Sequence, residues 1–367
     1  MLLILAPQFP PAVKAGGPVK TLYIFSRLLQ EKGYEYSVVT KDIDLDGTPL
    51  DSADFVDGAD YLKKIRIGEL RKRFRTSKVI WLNTLYSVPF SIFPLIALFG
   101  IKKRTVLVSP RGQLLSGAMS FKKRVFLWFF RNGLKLSGHR VLIHYTNPQE
   151  QENSLPLLKG FEEVIFNNPL TGEITEKSSG SDLSATKLAY FGRISPIKNL
   201  GFLLEILAEL PANFSLELHG ALEDEAYIKQ LKQVIDKSGL SGRVSFEGAY
   251  TKDDFLEKVS PQGIGLIPSF SENFCHVFFE LIEARKMVIA SNGLPWEAIN
   301  QQVSNTVLPL QKEQWKNRIL EISELSITDY TAQQDKLLYF YQQIKNDIEA
   351  DFLAVLDSLI EYEDLKG

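Results

Sequence analysis

Apolar residues in the first half of the chain fall in short runs, separated by longer stretches of helical spacing. Leu2–Ala6, Tyr36–Thr40, Val79–Asn83, Thr105–Ser109 and Val141–Thr146 are β-rich and lack strict polar alternation. Such runs predict parallel strands covered on both faces. Gly17–Lys32 carries its apolar residues on one helical face. Strand alternating with helix predicts a doubly wound α/β sheet. The pattern stops in the Ser- and Gly-rich stretch 171–186, which reads as a linker. It restarts with Lys187–Phe191, Ser215–His219, Val244–Glu247, Gly263–Pro268 and Met287–Ser291, predicting a second such sheet. After about Lys312 the spacing is helical, and in Asp347–Tyr362 the apolar residues Ile348, Phe352, Leu353, Val355, Leu356, Leu359 and Ile360 fall at helical spacing. The expected organisation is a domain over 1–170, the linker 171–186, a domain over 187–345 and a terminal helix over 346–367.

A length of 367 residues suits two domains, and 45% hydrophobic with 23% charged residues fills two ordinary cores. A formal net charge of -2 gives no overall basic field and points away from nucleic acid as a partner. With Cys275 the only cysteine, a disulfide framework is excluded and a reducing cytoplasm fits. The four histidines, His139, His144, His219 and His276, show no metal-ligand spacing. Met1–Pro7 has no basic segment before its short apolar run and reads as a buried strand, not a signal peptide. The apolar stretch Ser87–Ile101 contains Pro89 and Pro94 and is too short to span a bilayer.

Ligands of open α/β sheets collect at the carboxyl ends of strands. Three segments sit there. Gly16-Gly17 opens a helix after the first strand; a backbone approach to a phosphate or sugar and a simple turn requirement fit it equally. Arg193 and Lys198 follow the strand Lys187–Phe191, where two cations either grip a diphosphate or stand solvated. Glu272 precedes a helix start near Phe274, Cys275, His276 and Val277, whose free N–H groups would form an anion site; a favourable carboxylate near the helix dipole fits Glu272 as well. Glu280 lies about two helical turns further on. It falls inside the apolar run Val277–Ile282, where an unpaired carboxylate is costly, which favours a functional partner.

Gly192-Arg193-Ile194-Ser195-Pro196-Ile197-Lys198-Asn199, the Glu–seven residues–Glu spacing of Glu272 and Glu280, and Gly293-Leu294-Pro295-Trp296-Glu297 together resemble the retaining GT-B glycosyltransferases, group 1 or family 4 type. The resemblance covers nearly the whole chain. It implies two Rossmann-like domains facing each other across a cleft, with the terminal helix crossing back to the first. It further implies that Arg193 and Lys198 bind the donor diphosphate, Glu272 the donor hexose and Glu280 the ribose. Gly16 and Gly17 would lie near the donor phosphates, and the loop Glu272-Asn273-Phe274-Cys275-His276-Val277 would complete the donor site. The family usually carries Glu-Gly-Phe-Gly where this chain has Glu272-Asn273-Phe274-Cys275. It also often places a histidine after a middle strand, where Val108-Ser109-Pro110-Arg111-Gly112-Gln113 has none.

The resemblance implies transfer of a sugar from a nucleotide-diphosphate sugar, such as a UDP- or GDP-hexose, to a glycan or polyprenyl-diphosphate-linked acceptor. The setting expected is lipopolysaccharide, capsule or other surface polysaccharide synthesis. Two cations and a helix terminus take the place of a divalent metal, so no metal or cofactor is expected. Asp42-Ile43-Asp44-Leu45-Asp46 reads as a solvated acidic loop. Arg111 is the acceptor-side candidate for an anionic group; pairing with a nearby carboxylate fits equally. Phe121–Lys135 mixes aromatics with cations and suits either an anionic membrane surface at the inner face of the cell membrane or a core helix with solvated basic positions. The alternatives to a transferase are a nucleotide-sugar epimerase on the same fold and a non-catalytic scaffold.

Overall fold

The computed structural model describes residues 1–12, 14, 17–114, 120–154, 156–172, 174, 186–222, 224–250, 252–259, 263–272 and 274–365. The chain forms two compact units, Met1–Thr171 with Asn346–Gly367, and Gly172–Lys345. Most of the expected linker lies outside the described residues.

The first unit runs β1 (Leu2–Leu5), α1 (Gly17–Glu31), β2 (Tyr36–Lys41), β3 (Ala59–Leu62), α2 (Ile67–Thr76), β4 (Val79–Leu82), α3 (Phe93–Leu98), β5 (Thr105–Val108), α4 (Phe121–Ser137), β6 (Arg140–Tyr145), α5 (Pro148–Asn153) and β7 (Glu162–Ile165). Its seven strands are all parallel, in the order β3-β2-β1-β4-β5-β6-β7. Alternate side chains supply two cores. Leu2, Ile4, Val79 and Trp81 pack with Phe25 of α1 and with Phe352, Leu356 and Leu359 near the chain end. Leu3, Leu5, Ile80 and Leu82 pack on the other face with Phe74 of α2 and Leu127, Phe130 and Leu134 of α4. Burying each such side chain stabilises the fold by about 1.5–3 kcal/mol before entropy is counted.

The second unit runs β8 (Lys187–Phe191), α6 (Leu200–Glu209), β9 (Ser215–His219), α7 (Glu225–Lys237), β10 (Val244–Gly248), α8 (Lys252–Val259), β11 (Ile264–Ile267), α9 (His276–Glu283), β12 (Met287–Ser291), β13 (Val307–Leu308) and α10 (Lys312–Ser323). Its sheet is also parallel, ordered β10-β9-β8-β11-β12-β13. The last helix, α11 (Ile327–Asp364), contributes its first part to this unit and its residues from Asn346 onward to the first. In the second unit Tyr341 donates to Glu283 Oε1 at 2.5 Å and accepts from the Gly172 N–H at 2.8 Å. In the first, Thr105 Oγ1 donates to Glu363 Oε1 at 2.7 Å, and both residues are buried.

Strands β3, β7 and β13 were not expected. All three are sheet edges. The β3 residues are half-buried and β7 begins with two exposed glutamates, so neither forms an apolar run, while β13 is two residues long. Among the described residues no helix is long and apolar enough to cross a membrane.

Thr105→Val removes the hydroxyl that donates to the buried Glu363 carboxylate and leaves it to the charges of Arg104, 4.0 Å away, and Arg140. The expected cost is about 1–3 kcal/mol in urea unfolding. An unchanged midpoint overturns the role given to this contact.

Candidate active site

The chain leaves β8 towards β9 and leaves β11 towards β12, on the opposite side of the sheet. The adjacent carboxyl ends of β8 and β11 therefore form a topological switch point, where such sheets bind ligands. The segments of Arg193 and Glu272 are the loops that emerge there.

The β8 loop is fixed by its own backbone. Gly192 N–H donates to His219 O at 2.9 Å, and Tyr190 Oη donates to Arg193 O at 2.9 Å. Gly220 must lack a side chain, because an added Cβ would stand 1.8 Å from the Gly192 carbonyl oxygen. A short 3-10 turn, Pro196–Lys198, then leads through left-handed Asn199 into α6. The β11 loop docks on it through the Phe270 N–H, which donates to Ile197 O at 2.9 Å. The loop after β12 supports the β11 loop: Gly293 O accepts from the Glu272 N–H at 2.9 Å. A Cβ on Gly293 would meet the Phe270 carbonyl oxygen at 2.6 Å, so the close approach requires glycine.

Lys198 Nζ lies 2.5 Å from Glu272 Oε1, with both side chains less than one-fifth exposed. Ser269 Oγ donates to the same oxygen at 2.7 Å. Arg193 stands exposed on the same β8 loop and has no side-chain partner among the described residues. Glu280, half-buried on α9, lies close enough to Tyr250 and Cys275 for its charge to help raise the pKa of each. Burial is the larger cause at both.

Phe274 is a structural anchor as well as part of the loop. Its ring is buried among Trp296 and Phe279, with centroids 5.2 Å and 5.5 Å away, and its carbonyl accepts from Trp296 Nε1 at 2.6 Å. Cys275 takes a left-handed φ of 63°, a conformation that favours glycine. Burial, then the Glu272 charge, holds its thiol well above the ordinary range. His276 and Val277 form the first turn of α9, whose N-cap residue, Cys275, makes no side-chain cap hydrogen bond. Asn273 lies outside the described residues.

In the first unit Gly17 begins α1, and Gly16 lies outside the described residues. The acidic loop holds a cation of the chain itself: Lys14 Nζ lies 2.5 Å from Asp46 Oδ2, and the Lys14 N–H donates to Asp44 Oδ2 at 3.3 Å.

Arg111 follows β5 at a φ of 52°. Its guanidinium donates to Asn168 Oδ1 at 2.7 Å and to Asn83 Oδ1 at 2.8 Å. No carboxylate pairs with it among the described residues, contrary to the simpler of the two sequence readings. The nearby Glu150 is occupied, accepting from Gly112 N–H at 2.5 Å and from Thr146 N–H at 2.8 Å. Burial pushes the Arg111 pKa down to about 10, which keeps it charged at neutral pH.

Beneath Arg111, His144 Nε2 lies 2.8 Å from Phe166 O and Nδ1 lies 2.7 Å from Ser109 Oγ. A carbonyl only accepts, so Nε2 carries the proton and Ser109 donates to Nδ1. Trp81 Nε1 donates to Ser109 Oγ at 2.7 Å, completing the chain. Sequence reasoning missed Asn83, Asn168, Ser269 and Tyr190. None carries a motif; each is recognisable only from what it touches.

Residues 173–335 match the family of glycosyl transferases group 1. No curated protein matches the chain significantly. Among solved structures, the chain is similar to Anabaena HepE in complex with UDP and glucose: 18% identity, TM-score 0.69, covering 97% of this chain and 99% of HepE. Sucrose-phosphate synthase from Thermosynechococcus elongatus shares 15% identity at a TM-score of 0.63, covering 97% of this chain and 99% of that one. WaaG, a glycosyltransferase involved in lipopolysaccharide biosynthesis, shares 12% identity at a TM-score of 0.59, with coverage of 93% and 95%. The fold is GT-B, and the family match together with the fold supports a glycosyltransferase.

His144 is fully buried, and burial, then the Arg111 charge, holds its pKa well below 6.5. The unfolded chain therefore takes up this proton first as pH falls below about 6.5, and stability drops with it. His144→Gln should remove up to about 1.4 kcal/mol per pH unit of that loss. Urea midpoints at pH 7.5, 6 and 5 check this, and a wild-type-minus-variant difference independent of pH overturns it.

Proposed function

We propose that this glycosyl transferases group 1 relative moves a hexose, with retention of configuration, from a nucleotide-diphosphate sugar to a glycan acceptor. The carrying observation is the meeting of Lys198, Glu272 and exposed Arg193 at the β8/β11 switch point. Breaking the bond between the sugar and the diphosphate leaves negative charge on the nucleotide diphosphate. Arg193, Lys198 and the start of α9 are the groups that stabilise it. Lys198 would exchange its contact with Glu272 for a phosphate oxygen, freeing Glu272 for sugar hydroxyls. Glu280 would hold the ribose, and the backbone of Asn273 through Val277 and of Gly16-Gly17 would line the rest of the donor site. The UDP and glucose in HepE support a nucleotide sugar as donor. No metal enters the scheme, because fixed cations supply the charge.

The lipopolysaccharide role of WaaG supports a cell-surface glycan or a polyprenyl-diphosphate-linked glycan as acceptor. The surface of α4 supports a place at the cytoplasmic face of a membrane. Leu127, Phe130 and Leu134 face the core, whereas Phe121, Trp128, Phe129 and Leu136 are 81%, 59%, 61% and 79% exposed. At 100° per residue the exposed aromatics form one stripe opposite the buried one, flanked by Lys122 on one side and Arg124, Arg131 and Lys135 on the other. Aromatics between cations match the headgroup boundary of anionic lipid.

Arg193→Ala and Lys198→Ala should each lower turnover about a hundredfold or more, read as nucleotide diphosphate release. Near-normal turnover in both removes them from the clamp. Trp128→Ser with Phe129→Ser should lower binding to anionic vesicles about tenfold in co-sedimentation. Equal wild-type binding to neutral and anionic vesicles, or none to either, rejects the electrostatic surface.

A further inference from the structure

Three loops at the carboxyl ends of β4, β5 and β7 bring Asn83, Arg111 and Asn168 together. Asn83 and Asn168 are 7% and 9% exposed, and Arg111 is partly exposed. A guanidinium only donates, so the amide oxygen of Asn83 must face Arg111, which fixes the orientation of that amide. Its Nδ2 is then a buried donor, and it has no partner among the described residues. Burying an amide N–H without an acceptor costs free energy comparable to a lost hydrogen bond, so such groups are rare and call for an explanation.

Among the described residues, the polar groups around Arg111 are engaged with one another. Glu150 is spent on Gly112 and Thr146. Ser109 and His144 satisfy each other and Trp81. Arg111 uses two N–H groups on the asparagines and retains others, and although the charge of nearby Glu150 acts on it, it forms no ion pair or hydrogen bond with a carboxylate among the described residues. The orphan donor sits on the amide that Arg111 itself grips. A cation with spare donors and an unpaired neutral donor thus stand side by side, with asparagine oxygens holding the cation in place without cancelling it.

We propose that Asn83 and Arg111 form an oxyanion site in the first unit, and that the occupant is a phosphate group carried by the acceptor. Arg111 supplies the charge and a forked pair of N–H groups, Asn83 Nδ2 supplies a third direction, and Asn168 positions the guanidinium. Naming the occupant as acceptor rests on the transfer reading; the binding of phosphate does not.

The test uses inorganic phosphate, titrated calorimetrically into full-length protein carrying Arg193→Ala and Lys198→Ala, which removes the proposed donor clamp. Phosphate should still bind. Adding Asn83→Asp should weaken it tenfold or more: the aspartate keeps an oxygen for Arg111, preserving the fold, but replaces the orphan donor with negative charge. Arg111→Lys, which keeps the charge and loses the fork, should weaken it less. Absence of phosphate binding in the starting variant, or binding indifferent to Asn83→Asp, overturns the site. Vesicles containing phosphatidic acid separate the sources. If Asn83→Asp weakens phosphate binding and leaves vesicle binding unchanged, the phosphate belongs to a soluble acceptor; if it weakens both, the phosphate is lipid-borne. Near-normal sugar transfer in the starting variant would instead count against the donor clamp, and leaves the phosphate result standing.

Discussion

A parallel strand cannot turn directly into its neighbour. The chain must cross over the sheet and return to the same end, so every carboxyl end in a parallel sheet lies on one edge. Both sheets here obey this without exception. Residues far apart in sequence are therefore delivered to one place: Lys198 and Glu272 in the second unit, and Asn83, Arg111 and Asn168 in the first. The same rule demands apolar cover on both faces, which is why the central strands read as unbroken apolar runs and why helices flank them.

That requirement also decides how much of the fold is legible in the sequence. Central strands such as β1 and β4 are wholly buried, and their composition announces them. The edge strands β3 and β7 need only partial cover, tolerate Asp60, Glu162 and Glu163, and give no periodic signal. The candidate site divides in the same way. Arg193, Lys198, Glu272 and Glu280 sit in a recognisable spacing. Asn83 and Asn168 are ordinary asparagines in loops, significant only because backbone topology sets them around one guanidinium. Whether Arg111 met a carboxylate or an amide was a question of three-dimensional neighbours that the order of residues does not encode.

The departures from the family pattern have a local physical meaning. At Cys275 the backbone takes a left-handed turn that glycine would favour, so the cost of the replacement falls on the cysteine. Phe274 anchors the same loop. Its ring is locked against Trp296 and Phe279, and the Trp296 indole grips its carbonyl, so the loop is held from below whichever residue follows.

The distribution of tryptophans has a spectroscopic consequence. Trp81 and Trp315 are fully buried and Trp296 nearly so, while Trp128 is 59% exposed on α4. An aqueous collisional quencher therefore sees one indole of the four. Trp81 hydrogen-bonds to the serine that also binds His144, so its emission is tied to the floor beneath Arg111. Without any added label, the protein carries one fluorophore on its aromatic surface and another under its candidate anion site, separable by quencher access alone.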